Sequence, residues 1–167
     1  MSVIQIVILR HAEKPGDPAQ DQPADGISLS VRGFARASAL AYLLPNHYQS
    51  PSFLFATQQS KHSNRPIETV TPLSERLGLS INSDYVDHDY ADLATRLLDA
   101  STFDGKTIIV CWHHGTIPQL AAALGVVNPP TPWSSTVFDR YWQITVGDNG
   151  AVLTDLPQQA LYGDRSE

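Results

Sequence analysis

The sequence predicts a three-layer α/β/α sandwich: a mostly parallel central sheet between helices, closed by a C-terminal antiparallel hairpin. Two runs carry the parallel part. Ile4, Ile6 and Ile8 interleave with Val7 and Leu9, and Thr107 to Trp112 reads TIIVCW. Both are apolar and β-branched with little alternation, as strands buried on both faces are. Helix-period segments alternate with strands along most of the chain, the mark of βα units. The hairpin shows the other pattern. Phe138, Trp142, Ile144 and Val146 alternate as a half-buried strand, Asp148-Asn149-Gly150 turns the chain, and Ala151 to Leu156 returns.

The first strand stops at Arg10-His11, two polar groups at the carboxyl end of a central strand, where open α/β sheets bind ligands. The stretch after Lys14, PGDPAQDQPADGIS, has no periodicity and reads as a loop on the rim of that end. Its Asp17, Asp21 and Asp25 lack the spacing of a calcium loop. Ser30 is placed to cap a helix in which Phe34, Ala37, Ala41 and Leu44 recur at helical spacing, and Pro45 ends it. Arg32 and Arg36 share one face of this helix and read as structural or rim residues. A short strand passes through Phe53 and Phe55. Arg65-Pro66 then starts a helix with Ile67, Val70, Leu73 and Leu77 along its apolar stripe and Gly78 as its stop. Pro72 inside the stripe predicts a kink or a restart capped by Thr71.

A weak strand is expected between Leu79 and His88, followed by a helix that Asp89 caps, through Tyr90, Leu93, Ala94, Leu97 and Leu98. The TIIVCW strand breaks at His113-His114-Gly115, and a helix from Ile117 to Leu124 begins at once, with Pro118 in its first turn. Histidines therefore arrive beside a helix N-terminus, where free N–H groups and the dipole favour an anion. Trp133, among Pro129, Pro130 and Pro132, is expected at the surface or over the site, and the tail after Pro157 at the periphery.

A chain of 167 residues reads as one domain, 1–167, with room for a real core. The net charge of −6 argues against nucleic acid as a bulk partner, so any anion site must be a local concentration of positive charge. No apolar run is long enough to span a bilayer and the N-terminus has no signal-peptide pattern, so the expected compartment is the cytoplasm. The single cysteine, Cys111, excludes an intrachain disulfide and a Cys-rich zinc site. No HExxH or other metal-ligand spacing is present, so neither metal nor cofactor is expected, and His88 reads as a solvated loop residue.

Four pieces in this order form a pattern: LRHAEK at the first strand, LSVRGFARASALAYLL in the first helix, SNRPIETVTPLSERLGL with its loop-borne arginine, and VCWHHGTI near the end. The combination resembles the histidine phosphatase superfamily, the phosphoglycerate-mutase-like fold, over about Val3 to Val146. The resemblance implies that His11 is the nucleophile that becomes phosphorylated, that Arg10 and Arg65 grip the phosphoryl group, and that His114, directly before Gly115, completes the pocket. The physics agrees. A phosphoryl group in transfer spreads negative charge over three oxygens, so positioned donors and positive charge carry most of the catalysis. Two guanidiniums offer planar forks, and His11 must present a neutral ring nitrogen while its other nitrogen donates to a fixed acceptor.

The chain departs from the pattern in three places. It has Ala12 where glycine is frequent. A Lys61-His62-Ser63-Asn64 run precedes Arg65 where the spacing is usually tighter. It also lacks the glutamate that mutase-like members place after the second arginine's helix, and that region offers only Asp84, Asp87, Asp89 and Asp92. Glu13 and Asp89 are the candidates for an acid or a rim residue, Glu13 equally as a salt-bridge partner and Asp89 as a helix cap. Adjacent side chains on an extended strand point to opposite sides, which makes His113 a packing residue if His114 faces the phosphate. The expected activity is a metal-independent phosphatase acting on a phosphorylated small molecule or a phosphoprotein. The compact chain favours hydrolase over mutase, and the alternative is a phosphate- or phosphoprotein-binding module that has lost turnover.

Overall fold

A computed structural model describes residues 3–16, 23 and 25–167; Asp17 and Asp21 lie outside them. Six strands form one mixed sheet. They are β1 (Ile4–Arg10), β2 (Phe53–Ala56), β3 (Ile81–Asn82), β4 (Thr107–Trp112), β5 (Arg140–Gly147) and β6 (Gly150–Pro157), in the spatial order β3-β2-β4-β1-β5-β6. β3, β2, β4 and β1 run parallel, while β5 and β6 add the antiparallel hairpin beside β1.

The helices are α1 (Val31–His47), α2 (Arg65–Leu77), α3 (Tyr90–Leu97), α4 (Ala100–Phe103) and α5 (Ile117–Ala123). Period-two alternation in β1 sorts them onto two faces. Ile4, Ile6 and Ile8 pack with Leu93 and Leu97 of α3, Phe103 of α4 and Leu120 of α5. Val7 and Leu9 face the other way, onto Leu40 and Leu44 of α1 and Val70 and Leu73 of α2. Each side of β1 is therefore buried, which is why its sequence does not alternate in polarity.

Four expectations are corrected. Pro45 does not end α1, which runs on to His47. A proline there costs the helix one N–H bond, and the last turn still closes, with the Tyr48 amide donating to Leu44 O at 2.7 Å. Nor does α2 restart at Pro72: Val70 and Leu73 on either side of it are buried in one core, and Thr71 returns its hydroxyl to Ile67 O inside the helix instead of capping a new one. Trp133 is buried, its ring centroid 5.0 Å from that of Trp142 and its Nε1 donating to Val137 O. The tail is not peripheral, because Gln158 and Asp164 both accept from the buried Arg36 of α1. The short α4 has no sequence period to announce it. It forms where the Asp99 side chain accepts from Ser101 N, and it sends Phe103 into the core.

The register sets up the site. Arg10 pairs with Trp112, and Ala56 with Cys111. The carboxyl ends of β1 and β4 are therefore level, so that His11 and His113 emerge side by side, and β2 ends one residue earlier, with Thr57 level with Trp112.

Candidate active site

His11 leaves β1 with its amide donating to Trp112 O at 3.1 Å, and its side chain is buried. Its Nδ1 lies 2.7 Å from the carbonyl oxygen of Ala12. A carbonyl can only accept, so Nδ1 carries the proton and Nε2 holds a lone pair. Burial pushes the imidazole well below its ordinary value of 6.5, the Ala12 bond opposes the shift, and the charges of Arg10, His113 and Arg65 add to it. A buried ring among cations stays neutral.

The peptide that holds this ring is itself clamped. Ala12 N donates to Thr69 Oγ1 at 2.9 Å, and that hydroxyl donates to Arg65 O in the first turn of α2. Glu13 O accepts from Ser30 N at 2.9 Å, and Ser30 Oγ caps α1 by accepting from Gly33 N. The backbone of Gly33 comes so close that a Cβ there would sit 2.2 Å from Glu13 O. Only glycine fits. This contact ties the loop after His11 to the start of α1.

Arg10, 2% exposed, turns toward the chain that precedes β5. Its Nη1 donates to Ser135 O at 2.6 Å and to Val137 O at 3.3 Å, and its guanidinium carbon lies 3.8 Å above the Phe138 ring. Arg65 begins α2, with Nε donating to Ser28 O at 3.0 Å and Nη2 to Gly26 O at 2.6 Å. The same loop is fixed to α2 by Asn64 N donating to Ile27 O and by Leu29 N donating to Glu68.

The two late histidines both line the cleft. β4 ends at Trp112 and a turn begins at His114, so strand alternation does not reach this pair. The His113 ring packs edge-on against His11, with centroids 5.4 Å apart. The sequence expected His114 to face the phosphate and His113 to pack; both line the cleft, and the ring that meets His11 is that of His113. His114 stands on the same wall with its Nδ1 buried and unpartnered among the described residues. Burial lowers the pKa of both rings, and the arginines push the same way. At His113 the nearby Asp87 works against that, ahead of the arginine charges.

These groups surround a cleft of about 550 Å³. Arg10, His11, Arg65, His113 and His114 are all on its wall, together with Lys14, Thr57 and Asp87. Lys61 is exposed, while His62 and His88 stand on the cleft rim. Glu13 is not part of the cleft. Its carboxylate is buried against α1, taking Arg36 Nη2 at 2.8 Å and Arg32 Nε at 3.3 Å. Asp89 is also outside; it stands before α3 with its carboxylate accepting from Val86 N at 2.9 Å, and it makes no side-chain capping bond. The carboxylate on the wall is Asp87, which takes the Thr116 hydroxyl at 2.5 Å. Sequence reasoning weighed Asp87 as one of four aspartates. Only the path of the chain after β3 singles it out. Among the described residues no group of three or more His, Cys, Asp or Glu side chains is arranged to hold a metal ion.

No protein-family model and no curated protein sequence matches the chain. Solved structures do. The protein histidine phosphatase SixA complexed with tungstate superimposes with a TM-score of 0.64 at 14% identity, covering 93% of this chain and 97% of that one. The alpha-ribazole phosphatase from Shigella flexneri gives 0.63 at 14% identity, over 97% and 100% of the two chains. A mycobacterial glucosyl-3-phosphoglycerate phosphatase gives 0.63 at 16% identity, over 95% and 100%. The fold of this chain is the one these proteins share, the phosphoglycerate-mutase-like α/β fold.

Proposed function

We propose that the protein is a metal-independent histidine phosphatase that hydrolyses phosphomonoesters through a phosphohistidine on His11, acting in the cytoplasm. One observation carries this reading. His11 donates through Nδ1 to Ala12 O, which leaves Nε2 unprotonated in a cleft that also holds Arg10 and Arg65. A neutral ring nitrogen is the nucleophile, and the guanidiniums hold a group whose charge spreads over its oxygens as it transfers. Nε2 attacks phosphorus and the bond to the ester oxygen breaks. The leaving oxygen takes the proton of the Asp87 carboxyl group, and the resulting carboxylate recovers a proton from the water of the second step. Water then attacks the phosphohistidine and restores the free ring.

In this reading His113 is the imidazole beside the phosphoryl group, and His114 lies further along the same wall. Small phosphoesters and a phosphohistidine protein both figure in the names of the structural relatives, and a cleft of this volume admits either a small ester or a side chain. The competing reading, a phosphate-binding module without turnover, would keep the same arginines.

Rapid quench with labelled aryl phosphate separates the two. An acid-labile, alkali-stable phosphoenzyme is expected from the parent and none from His11→Ala, whose turnover should fall on the order of 10⁴-fold or more. Binding of phosphate without any phosphoenzyme would establish the module instead. Asp87→Asn should slow an alkyl phosphate far more than an aryl phosphate, whose leaving group scarcely needs the proton.

A further inference from the structure

Thr57 comes directly after β2 and is 2% exposed, and its Oγ1 has no hydrogen-bond partner among the described residues. A hydroxyl withdrawn from water and left unbonded is destabilising, and native folds rarely keep one without a use. Two other orphaned groups show the contrast: Asn64 Oδ1 and Trp112 Nε1 are also buried and unpartnered, yet neither residue lines the cleft, whereas Thr57 does.

Its place in the sheet is specific. Thr57 N donates to Cys111 O at 3.2 Å, just as His11 N donates to Trp112 O from the other side of β4. Neighbouring strands lie about 4.8 Å apart, so Thr57, level with Trp112 and Arg10, sits roughly two spacings across from β1 and one residue short of the level of His11. Arg10 is anchored from the β5 side by Ser135 O and Val137 O, and Arg65 comes from α2. The β2 side of the cleft is the side that Thr57 closes.

We propose that Thr57 is a substrate-binding residue whose hydroxyl donates to an oxygen of the phosphoryl group on the side away from Arg10. The inference rests on the phosphatase reading and deepens it. A phosphoryl group presents three non-bridging oxygens. Arg10 and Arg65 come from two directions, and a short β-branched hydroxyl at the end of β2 supplies a third fixed donor with few rotamers to lose.

The test compares the parent with Thr57→Val and Thr57→Ser, using vanadate as the probe together with kcat and KM on an aryl phosphate and the Tm of each free protein. Thr57→Val keeps the shape and removes the hydroxyl. It should bind vanadate about 10- to 100-fold more weakly, as expected when a hydrogen bond to a charged group is lost. Its Tm should hold or rise, because no hydrogen bond among the described residues is broken. Thr57→Ser should bind within about threefold of the parent. Thr57→Val that binds vanadate and turns over like the parent overturns the assignment, as does Thr57→Ser failing as badly as Thr57→Val. A parent that neither turns over aryl phosphate nor binds vanadate overturns the phosphatase reading itself and the assignment with it.

Discussion

Two arginine sites beside the start of the loop after β1 solve opposite problems. On one side, Arg36 donates to Glu13 and to Asp164, carboxylates 23 and 128 positions away in the chain. Burial works against its charge, yet the bonds to Asp164 and Glu13 outweigh that and hold its pKa above the ordinary value. On the other side, Arg10 and Arg65 donate to backbone carbonyls of Ser135, Val137, Ser28 and Gly26. Carbonyl contacts orient a guanidinium without cancelling its charge. A cation matched by buried carboxylates serves the fold, whereas Arg10 and Arg65 are steered by carbonyls onto the wall of the cleft.

The comparison breaks most sharply at Arg36. Arg36→Ala leaves Glu13 and Asp164 buried and unmatched and should cost about 3–5 kcal/mol, a fall of roughly 6–20 °C in Tm at this chain length. Calorimetry checks it, and activity per folded molecule should survive at low temperature. A Tm within a degree or so of the parent would show that the network relaxes onto water.

Arg65→Ala should do the reverse: a loss of about 10²–10³ in kcat/KM, as for removal of a transition-state donor, with little change in Tm. Arg65→Lys should recover only part, because an ammonium cannot reproduce the planar fork. Equal Tm losses at Arg65 and Arg36 would erase the distinction between them.

His113→Gln and His114→Gln sharpen the picture inside the cleft. The contact between His113 and His11 predicts the larger loss at His113, on the order of 10²-fold, and a smaller one at His114. Turnover of one aryl phosphate by the two variants decides the order, and the reverse ranking would return the role to the residue before Gly115.

Acid should expose the cationic side of the comparison. The pKa values of His11, His113 and His114 are all lowered by burial from 6.5. The unfolded chain therefore binds more protons than the folded one once pH drops below about 6.5, and stability falls from there toward the lowered folded values. Thermal unfolding between pH 7 and 5 should show that slope, and saturating inorganic phosphate, a counter-charge for the rings, should flatten it. A Tm independent of pH across this range would contradict burial of neutral histidines.

The smallest effect belongs to an exposed pair. Arg96 and Asp99 meet at 2.9 Å with side chains 43% and 37% exposed. Arg96→Gln should change stability by less than about 1 kcal/mol, measured by urea unfolding, and a larger loss would mean that its stacking on Phe103 matters more than the charge.

Local pattern by itself determined the buried strands Ile4–Arg10 and Thr107–Trp112, the Ser30 cap, the start of α2 at Arg65-Pro66, its stop at Gly78 and the closing hairpin. Each is written in a few adjacent residues, through side-chain period, a capping hydroxyl or a fixed φ. Motif order likewise brought out Arg10, His11 and Arg65 as residues to be gathered at one end of the sheet. Only the tertiary structure decided which histidine meets His11, because that turns on where β4 stops relative to β1. It alone separated Glu13 from the cleft, since the partner that claims that carboxylate lies on α1 and is itself held by Asp164 from the far end of the chain. It also put Asp87 on the cleft wall and left the Thr57 hydroxyl buried there with no hydrogen-bond partner among the described residues. A side chain's partner across the fold depends on distances between elements, and no stretch of neighbouring residues encodes those.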